Sequence, residues 1–490
     1  MKSLFRISIL LICFFALCSA CTKEDASIDN SVVSALESDL TTRSDISPDS
    51  KVLSDVIKYK KITKEFIPII IARSLDEKDF KNKTDYSIET ISRNGRNLMH
   101  VVNFDKGGWA IVSGRFREDD LILAYGAEGE FDPGNIESPE VRFWLDRAES
   151  MLEQEMIEDE ENDSAEAFRS GPYDNEPYVW LKVPLGYQYS SELYESVAPL
   201  TTTNWGQSNP WNWLCPVDPN TSTVCPLGCS AVAVSQMLYY LHYEIGVPSG
   251  LYHTIDTNFV WIPSENHYLS YASRSNYTNP SNRWSIMQKN WSSDLTINAK
   301  HTGRFILDVA DRLDTKFASS GSEAETDCDV FYSFGIFCSP SDFFSESYTT
   351  NSIRHSMPVL VRANDSNNTR SNNDVGDGHA WIIDGYKINR NTSDYPMYLK
   401  IIPTDSLSFY PDLNYDMILT DSQKQSLYPD FEEYEIIHDY SYSYSTLYHM
   451  NWGWNGLYYN SYYSSSPLLW NPYPHVFSQN VKMIYGFSEL

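Results

Sequence analysis

The sequence predicts an α+β protein with two folded domains. In residues 55–156, short strand-like stretches are followed by apolar residues three and four apart, which is typical of an amphipathic helix. In residues 191–490, an apolar helical pattern follows Cys229, and a strand pattern runs through residues 376–386. Hydrophobic residues make up 42% of the chain, enough for sizeable cores.

Charge and hydropathy exclude several classes of protein. The chain of 490 residues, long enough for about three structural units, has 37 basic and 66 acidic side chains and a formal charge of −29. Such an acidic surface argues against nucleic acid, or an anionic membrane face, as the main partner. A single stretch, at the N-terminus, is apolar enough to insert in a bilayer, so a multi-span membrane protein is excluded.

The N-terminus resembles a bacterial lipoprotein signal. A charged start, an apolar run at Ile7–Leu17 and small residues before Cys21 predict a signal peptide over residues 1–21, with Cys21 lipidated. Residues 22–54 are rich in Ser, Thr and Asp and predict a flexible tether. The expected location is the outer membrane or cell surface of a Gram-negative bacterium, or the exterior if ordinary cleavage near Ala20 leaves Cys21 as a thiol.

The first domain, residues 55–156, contains a predicted hairpin and a predicted helix. Three strands are expected, at Met99–Asn103, Trp109–Ser113 and Leu121–Tyr125. Gly107 and Gly108 supply the turn between the first two strands. The apolar spacing predicts a helix over residues 141–156.

An acidic segment follows that helix. Ten acidic side chains and one Arg lie between Asp146 and Glu166. Such density is typical of a solvated face or a flexible linker. We therefore place a linker and activation segment at residues 157–190, where an exposed chain is open to proteolysis.

The cysteines leave an odd number after signal removal. Of eight cysteines, five lie beyond Cys21. Cys215 with Cys225, and Cys328 with Cys338, are each ten residues apart and are candidates for disulfides, which would leave Cys229 over. A Cys225–Cys229 bond is an alternative. A zinc site is disfavoured because the spacing of Cys-x-x-Cys ligands is lacking.

Cys229 is a candidate nucleophile. Gly228 precedes it, and apolar residues at helical spacing follow it, so Cys229 is expected at the N-terminus of a buried helix. Peptide N–H groups at that position stabilise a thiolate. A cysteine buried as a small hydrophobic residue would show the same pattern.

His379 is a candidate general acid and base. It begins a predicted strand whose expected partner is Met357–Val361. It follows Cys229 by 150 residues, close to the separation in papain-like peptidases. A nucleophilic cysteine needs such a base to hold the thiolate and later to protonate the leaving amine.

Two further segments carry candidate site residues. In papain-like sites an Asn shielded by indole rings orients the imidazole, and Asn451 with Trp452 and Trp454 resembles that arrangement. An aromatic core strand ending in a glycine turn would explain the same residues. Gln207, upstream of Cys229, has a side-chain amide suited to donate to a developing oxyanion together with the Cys229 backbone N–H.

Together these motifs resemble the streptopain family of cysteine peptidases. The segments that carry the resemblance are Trp205-Gly-Gln207, Gly228-Cys229, Gly378–Gly385 and Asn451-Trp-Gly-Trp454. The first domain is similar to the inhibitory propeptide of that family, most clearly at Val101–Ser113 and Leu121–Tyr125. Four motifs occur in the family's order at plausible separations.

The resemblance implies a papain-like, two-lobed cysteine endopeptidase domain made as an inactive zymogen. The first domain would act as an intramolecular inhibitor that keeps His379 from Cys229 or blocks the cleft until the chain is cut. Protein or peptide substrates are expected, and no metal or organic cofactor is implied. Two other functions stay open at this point: a Cys–His transglutaminase or amidase, and a non-catalytic peptide-binding lipoprotein on the same fold.

Overall fold

The computed structural model divides the chain into two units, residues 1–50 and Lys51–Leu490. It describes residues 62–64, 67–75, 83, 85–117, 121–166, 178–184, 188–218, 220–246, 257–262, 267–272, 284–319, 321–322, 324, 326–341, 343–364, 378–403, 414–419, 434–456, 459–469 and 481–489. The predicted signal peptide, with Cys21, and the whole of the predicted tether lie outside these residues. Among the helices that the structure describes, none is long and apolar enough to cross a membrane.

The described residues of the N-terminal domain, within 62–166, form a small antiparallel sheet and two helices. Its elements are α1 (Ile67–Ser74), β1 (Tyr86–Arg93), β2 (Arg96–Phe104), β3 (Trp109–Ser113), β4 (Ile122–Gly126) and α2 (Pro139–Glu166). The predicted hairpin is confirmed, since β2 pairs with β3 and Gly107 and Gly108 have φ of 78° and 92° in the turn. Strand β1 was not predicted, because its side chains are mostly polar and partly exposed.

Helix α2 extends well past the predicted boundary at Met156 and ends at Glu166. Its apolar side, which includes Trp144 and Leu152, is fully buried. Its acidic side pairs with arginines of the sheet: Arg115 lies 2.6 Å from Asp159 and Arg117 lies 2.6 Å from Glu155. The whole acidic run is therefore helical and is partly neutralised by arginines of the same domain, and the first ten residues of the predicted linker, 157–166, belong to α2.

The C-terminal domain, residues 178–489, contains the remaining elements. Its helices are α3 (Cys229–Tyr239), which continues into a π-helical turn (Tyr240–Glu244), α4 (Ile297–Arg312), α5 (Cys328–Tyr332), α6 (Glu346–Arg354) and α7 (Ser466–Leu469). Its strands are β5 (Tyr178–Pro184), β6 (Gln188–Val197), β7 (Thr257–Ile262), β8 (His267–Ala272), β9 (Ile336–Ser341), β10 (Val359–Asn364), β11 (Gly378–Pro403), β12 (Asn414–Leu419), β13 (Tyr434–Asn451), β14 (Ser461–Ser464) and β15 (Val481–Glu489).

One sheet runs through both domains. In the described part of the chain thirteen strands take part, and the main path is β1-β2-β3-β4-β14-β13-β11-β10-β15-β9. The two domains meet where β4 pairs antiparallel with β14, with Tyr125 opposite Tyr462 and Ala124 opposite Tyr463. The N-terminal domain thus extends the sheet of the C-terminal domain.

Two long strands account for much of the C-terminal sheet. The predicted strand at residues 376–386 is confirmed, but β11 continues to Pro403. It pairs with β13 from Ile382 opposite Asn451 to Lys400 opposite Tyr434, and with β10 as predicted. Each of these two long strands supplies backbone hydrogen-bond partners to the other, although they are separated in sequence.

Two buried clusters form the cores next to the site. One surrounds α3, every residue of which is buried, and includes side chains of α4 and α5. The other lies on the sheet and is shared by both domains, since Trp144 of α2 packs against Tyr463 of the C-terminal domain, which in turn packs against Trp452. This arrangement confirms the predicted α+β fold class and places α2 directly on the sheet that carries His379.

Candidate active site

Cys229 is the first residue of α3, as predicted. Gly228 precedes it with φ 92° and ψ 142°, a conformation that favours glycine. A Cβ atom at Gly228 would lie 2.9 Å from the Ser322 carbonyl oxygen. The chain therefore turns sharply into the helix at a position where no larger residue fits, and the turn places Cys229 at the positive end of the helix.

His379 is the second residue of β11, at the start of the strand. It lies opposite Ala363 of β10 in the antiparallel ladder. The next residue, Ala380, donates its backbone N–H to Cys229. The sheet and the helix thus meet at this point, and the two predicted catalytic residues lie on adjoining elements.

Gln207 lies on a loop that is held on several sides. Its carbonyl oxygen accepts a 2.9 Å hydrogen bond from the Leu227 N–H, just before the nucleophile helix. Trp205 donates its backbone N–H to the Gln236 side chain of α3 at 3.2 Å. Gly206 forms an antiparallel bridge with Trp454. These contacts hold the Gln207 loop beside α3 and beside the tryptophan turn.

Asn451 ends β13 and is 2% exposed. Its amide exchanges two hydrogen bonds with the amide of Gln236, at 3.2 and 3.3 Å, and donates to the Thr203 carbonyl at 2.9 Å. These bonds tie β13 to the nucleophile helix. The orientation of the His379 imidazole by Asn451 stays a prediction.

The two predicted shielding tryptophans have different surroundings. Trp452 is fully buried and packs against Trp381, with ring centroids 5.2 Å apart. Trp454 donates its indole N–H to the Glu140 carboxyl at 2.5 Å. Trp454 is thus the one whose polar atom reaches the N-terminal domain.

Glu140 is the site residue that the sequence analysis missed. It lies in the first turn of α2, in the N-terminal domain, and is 1% exposed. Besides Trp454, the Ser138 hydroxyl donates to its carboxyl at 2.8 Å and Gln207 donates its side-chain amide at 3.5 Å. Its side chain also hydrogen-bonds to Cys229. Glu140 therefore contacts three of the predicted site residues.

Phe143 lies one turn further along α2, on the same face as Glu140. Its ring centroid is 5.8 Å from that of His379 and 6.3 Å from that of Trp381. The start of α2 thus covers His379 with an aromatic ring while Glu140 approaches Cys229. The serine and proline before Glu140 are a recognisable start of a helix, but nothing local shows that this helix faces Cys229.

Burial and the neighbouring carboxyl group disfavour a thiolate at the site. Burial, and then the neighbouring Glu140 carboxyl, raise the pKa of the Cys229 thiol to about 12, although the backbone N–H groups of Ala380 and Ser230 oppose this. Burial also raises the pKa of Glu140, and the charge of His379 opposes that shift. In this form of the protein Cys229 is held as a neutral thiol.

A second His–carboxylate pair lies behind the site. Asp384, fully buried, lies 2.6 Å from Nδ1 of His449 and accepts hydrogen bonds from the backbone N–H and hydroxyl of Thr201. The adjoining Thr201 hydroxyl accepts a 3.4 Å hydrogen bond from Asn451. Asp384 interacts with His449 at the irregularity between β11 and β13, where Ile383 and Gly385 flank it.

The four cysteines predicted to pair are thiols in this structure. Cys328 and Cys338 nevertheless hydrogen-bond to each other through their side chains, and burial together with that contact raises the pKa of Cys338. Burial, and then the nearby Cys225, raise the pKa of Cys215. The partners match the predicted pairs, and disulfide formation between them stays a prediction.

Comparisons with known proteins agree with this architecture. Residues 205–399 match the Peptidase C10 family, and residues 60–152 match the Spi protease inhibitor family. The predicted membership of the streptopain family, with its inhibitory propeptide, is confirmed by these two matches. No curated protein sequence matches the chain significantly.

Two solved structures from Prevotella intermedia are also similar. A prointerpain A fragment is 17% identical, covers 82% of this chain and 99% of its own, and has a TM-score of 0.47. Active interpain A cysteine protease is 19% identical, covers 60% of this chain and 97% of its own, and has a TM-score of 0.35.

Proposed function

Since this chain belongs to the Peptidase C10 family of cysteine endopeptidases and carries a Spi-type inhibitory propeptide, we propose that Cys229 and His379 are the pair that cleaves peptide bonds. The observation that carries the proposal is the meeting of the α3 N-terminus with the start of β11, where Ala380 donates its N–H to Cys229. The N-terminal domain is the inhibitory propeptide, and the chain is a zymogen.

The proposed reaction has two steps. The Cys229 thiolate, formed once its proton passes to His379, attacks the carbonyl carbon of the scissile bond and forms a C–S bond. His379 then gives its proton to the leaving nitrogen as the C–N bond breaks. Water, deprotonated by His379, next attacks the thioester, and the new carboxylate leaves as Cys229 regains its starting state.

Gln207 is the proposed side-chain donor to the oxyanion in both tetrahedral intermediates. Its loop is held by Leu227 N–H and by the bridge from Gly206 to Trp454. A donor held in advance of the reaction stabilises developing charge without a further cost of ordering. Asn451 and Trp452 are proposed to hold the end of β13 against α3. Since β13 pairs with β11, they would also fix the position of the strand that carries His379.

The test compares wild-type protein with Cys229→Ala and His379→Ala, each made as the soluble chain from residue 22. After removal of the propeptide, the wild type is expected to cleave a protein substrate such as casein and to bind one equivalent of a thiol-directed epoxide. Both variants should lose turnover while unfolding at the wild-type temperature. A Cys229→Ala enzyme that cleaves casein near the wild-type rate would exclude Cys229 as the nucleophile and favour another site.

We also propose that the chain is exported and anchored by lipid at Cys21. The apolar run at Ile7–Leu17, followed by small residues and Cys21, supports this. Expression in a Gram-negative host with a radiolabelled fatty acid should label the wild type and leave Cys21→Ala unlabelled. Equal labelling of both would contradict the anchor at Cys21. If only the wild type is labelled, protease treatment of intact cells shows which side of the outer membrane the protein faces.

A further inference from the structure

We infer that the propeptide inhibits the enzyme through Glu140, whose carboxyl group accepts the Gln207 side-chain donor of the catalytic centre and contacts Cys229. The inference rests on the proposed roles of Cys229, His379 and Gln207, and it assigns the regulation of that site to one side chain. An inhibitory propeptide can block a cleft in several ways. In this chain the contacts of Glu140 with Gln207 and Trp454 point to one of them.

Glu140 is held in place by the propeptide's own helix. The Ser138 hydroxyl accepts a hydrogen bond from the Val141 N–H at the helix start and donates to the Glu140 carboxyl. Further along α2, the Trp144 indole donates to the Ser464 carbonyl at 3.0 Å, and Arg147 donates to the Pro467 carbonyl at 2.7 Å. These anchors fix the first turn of α2 against the peptidase, so the carboxyl does not depend on a flexible loop.

The carboxyl group uses donors that a substrate needs. One oxygen accepts from the Gln207 amide, and the other accepts from the Trp454 indole. A substrate carbonyl oxygen would approach the same Gln207 donor when its carbon faces Cys229. A substrate carbonyl oxygen that uses this N–H must displace the Glu140 carboxyl, which is 1% exposed and already accepts from it.

Glu140 also acts on the two reacting groups. Its side chain hydrogen-bonds to Cys229, and its negative charge opposes a second negative charge on the sulfur. His379 in turn opposes the rise in the Glu140 pKa, so Glu140 interacts with both reacting groups. Its contact with Cys229 and its charge both favour the protonated cysteine while the propeptide is in place.

The experiment measures alkylation of Cys229 in the uncleaved chain. Wild type and Glu140→Gln are treated with iodoacetamide at about neutral pH, and intact mass followed by peptide mapping reports the rate on full-length molecules alone. The matched control is Glu149→Gln, on the same helix, because Glu149 pairs with Arg93 at 2.6 Å and lies outside the cleft. The thermal unfolding temperature and the slow labelling of Cys215 and Cys328 report whether each variant keeps its fold.

We expect Cys229 in full-length Glu140→Gln to react at least about tenfold faster than in wild type, with Glu149→Gln unchanged, because loss of the neighbouring carboxylate lowers the pKa of a thiol that burial still raises, and each pKa unit gives about ten times more thiolate near neutral pH. If Glu140→Gln is as slow as wild type while propeptide-free wild type reacts rapidly, the inference is overturned and the proposed function stands. If the propeptide-free enzyme is itself unreactive and inactive, the proposed function fails, and the inference with it. Rapid reaction of the uncleaved wild type would overturn the inference alone.

Discussion

Gly228 offers a sharp test of how the nucleophile is positioned. At φ 92° and ψ 142° an alanine would be strained, and its Cβ would lie 2.9 Å from the Ser322 carbonyl oxygen. A backbone held in a glycine region costs about 1–3 kcal/mol for another residue. The contact with a backbone oxygen adds to this, because the peptide must move to relieve it. We expect Gly228→Ala to shift the start of α3 and Cys229 with it.

Gly246 provides the matched control. It also has a positive φ, 76°, but a Cβ there meets no atom within 4 Å. Gly246→Ala should therefore show the backbone strain without the collision. Both variants are expected to unfold a few degrees below wild type, because a loss of 1 kcal/mol shifts the unfolding temperature by about 2 °C or less in a domain of more than about 250 residues.

The assay is kcat/KM of the propeptide-free enzyme on a peptide substrate, beside the unfolding temperature. Gly228→Ala should lose about 10²-fold in kcat/KM, the scale expected when a reacting group moves by about 1 Å, whereas Gly246→Ala should stay near the wild-type value. If the two variants lose the same stability and both keep wild-type activity, the collision at Ser322 does not position Cys229 and the reasoning is wrong.

Three further outcomes are expected. In the uncleaved chain, alkylation of Cys229 should rise about tenfold per pH unit from neutral into alkaline solution without levelling off, because the pKa of this thiol is raised to about 12 and thiolate forms only as the pH approaches that value; a plateau near an ordinary pKa of about 8.5 would contradict this. Gln207→Ala should lower kcat of the propeptide-free enzyme by about 10²–10³ with little change in unfolding temperature; an unchanged kcat would remove Gln207 from the site. Asp384→Asn should destabilise the C-terminal domain by about 3–5 kcal/mol, because it leaves His449 without its buried carboxylate. Denaturant unfolding measures this loss, and a change below about 1 kcal/mol would show that the pair adds little to the free energy of unfolding.

Local patterns were sufficient for the elements that carry the proposed catalytic pair. The apolar spacing after Cys229 predicts α3 because the helix is buried on all sides and its pattern is uninterrupted. His379 was correctly expected at the start of a strand, with its neighbouring strand ending in the same region. In both cases the signal comes from residues within a few positions of the side chain concerned.

The features that were missed depend on contacts between distant segments. The acidic run after Asp146 indicated a solvated linker because the arginines that neutralise it, such as Arg115, lie about 40 residues earlier in the chain. Glu140 is one of many glutamates in the sequence, and its importance comes from Gln207 and Trp454, which reach it only after both domains fold. The full length of β11 depends likewise on partners that follow it in the chain.

The pairing of β4 with β14 has a consequence for the enzyme after activation. When the propeptide leaves, β14 becomes an edge strand of the peptidase sheet. The backbone groups of β14 that had paired with Tyr125 and Ala124 are then exposed to solvent. A strand border is a template on which another extended chain can align. The strand has only four residues, Ser461–Ser464, which limits how much foreign chain can align there. The mature enzyme therefore has a short exposed edge strand that is paired with the propeptide in the zymogen.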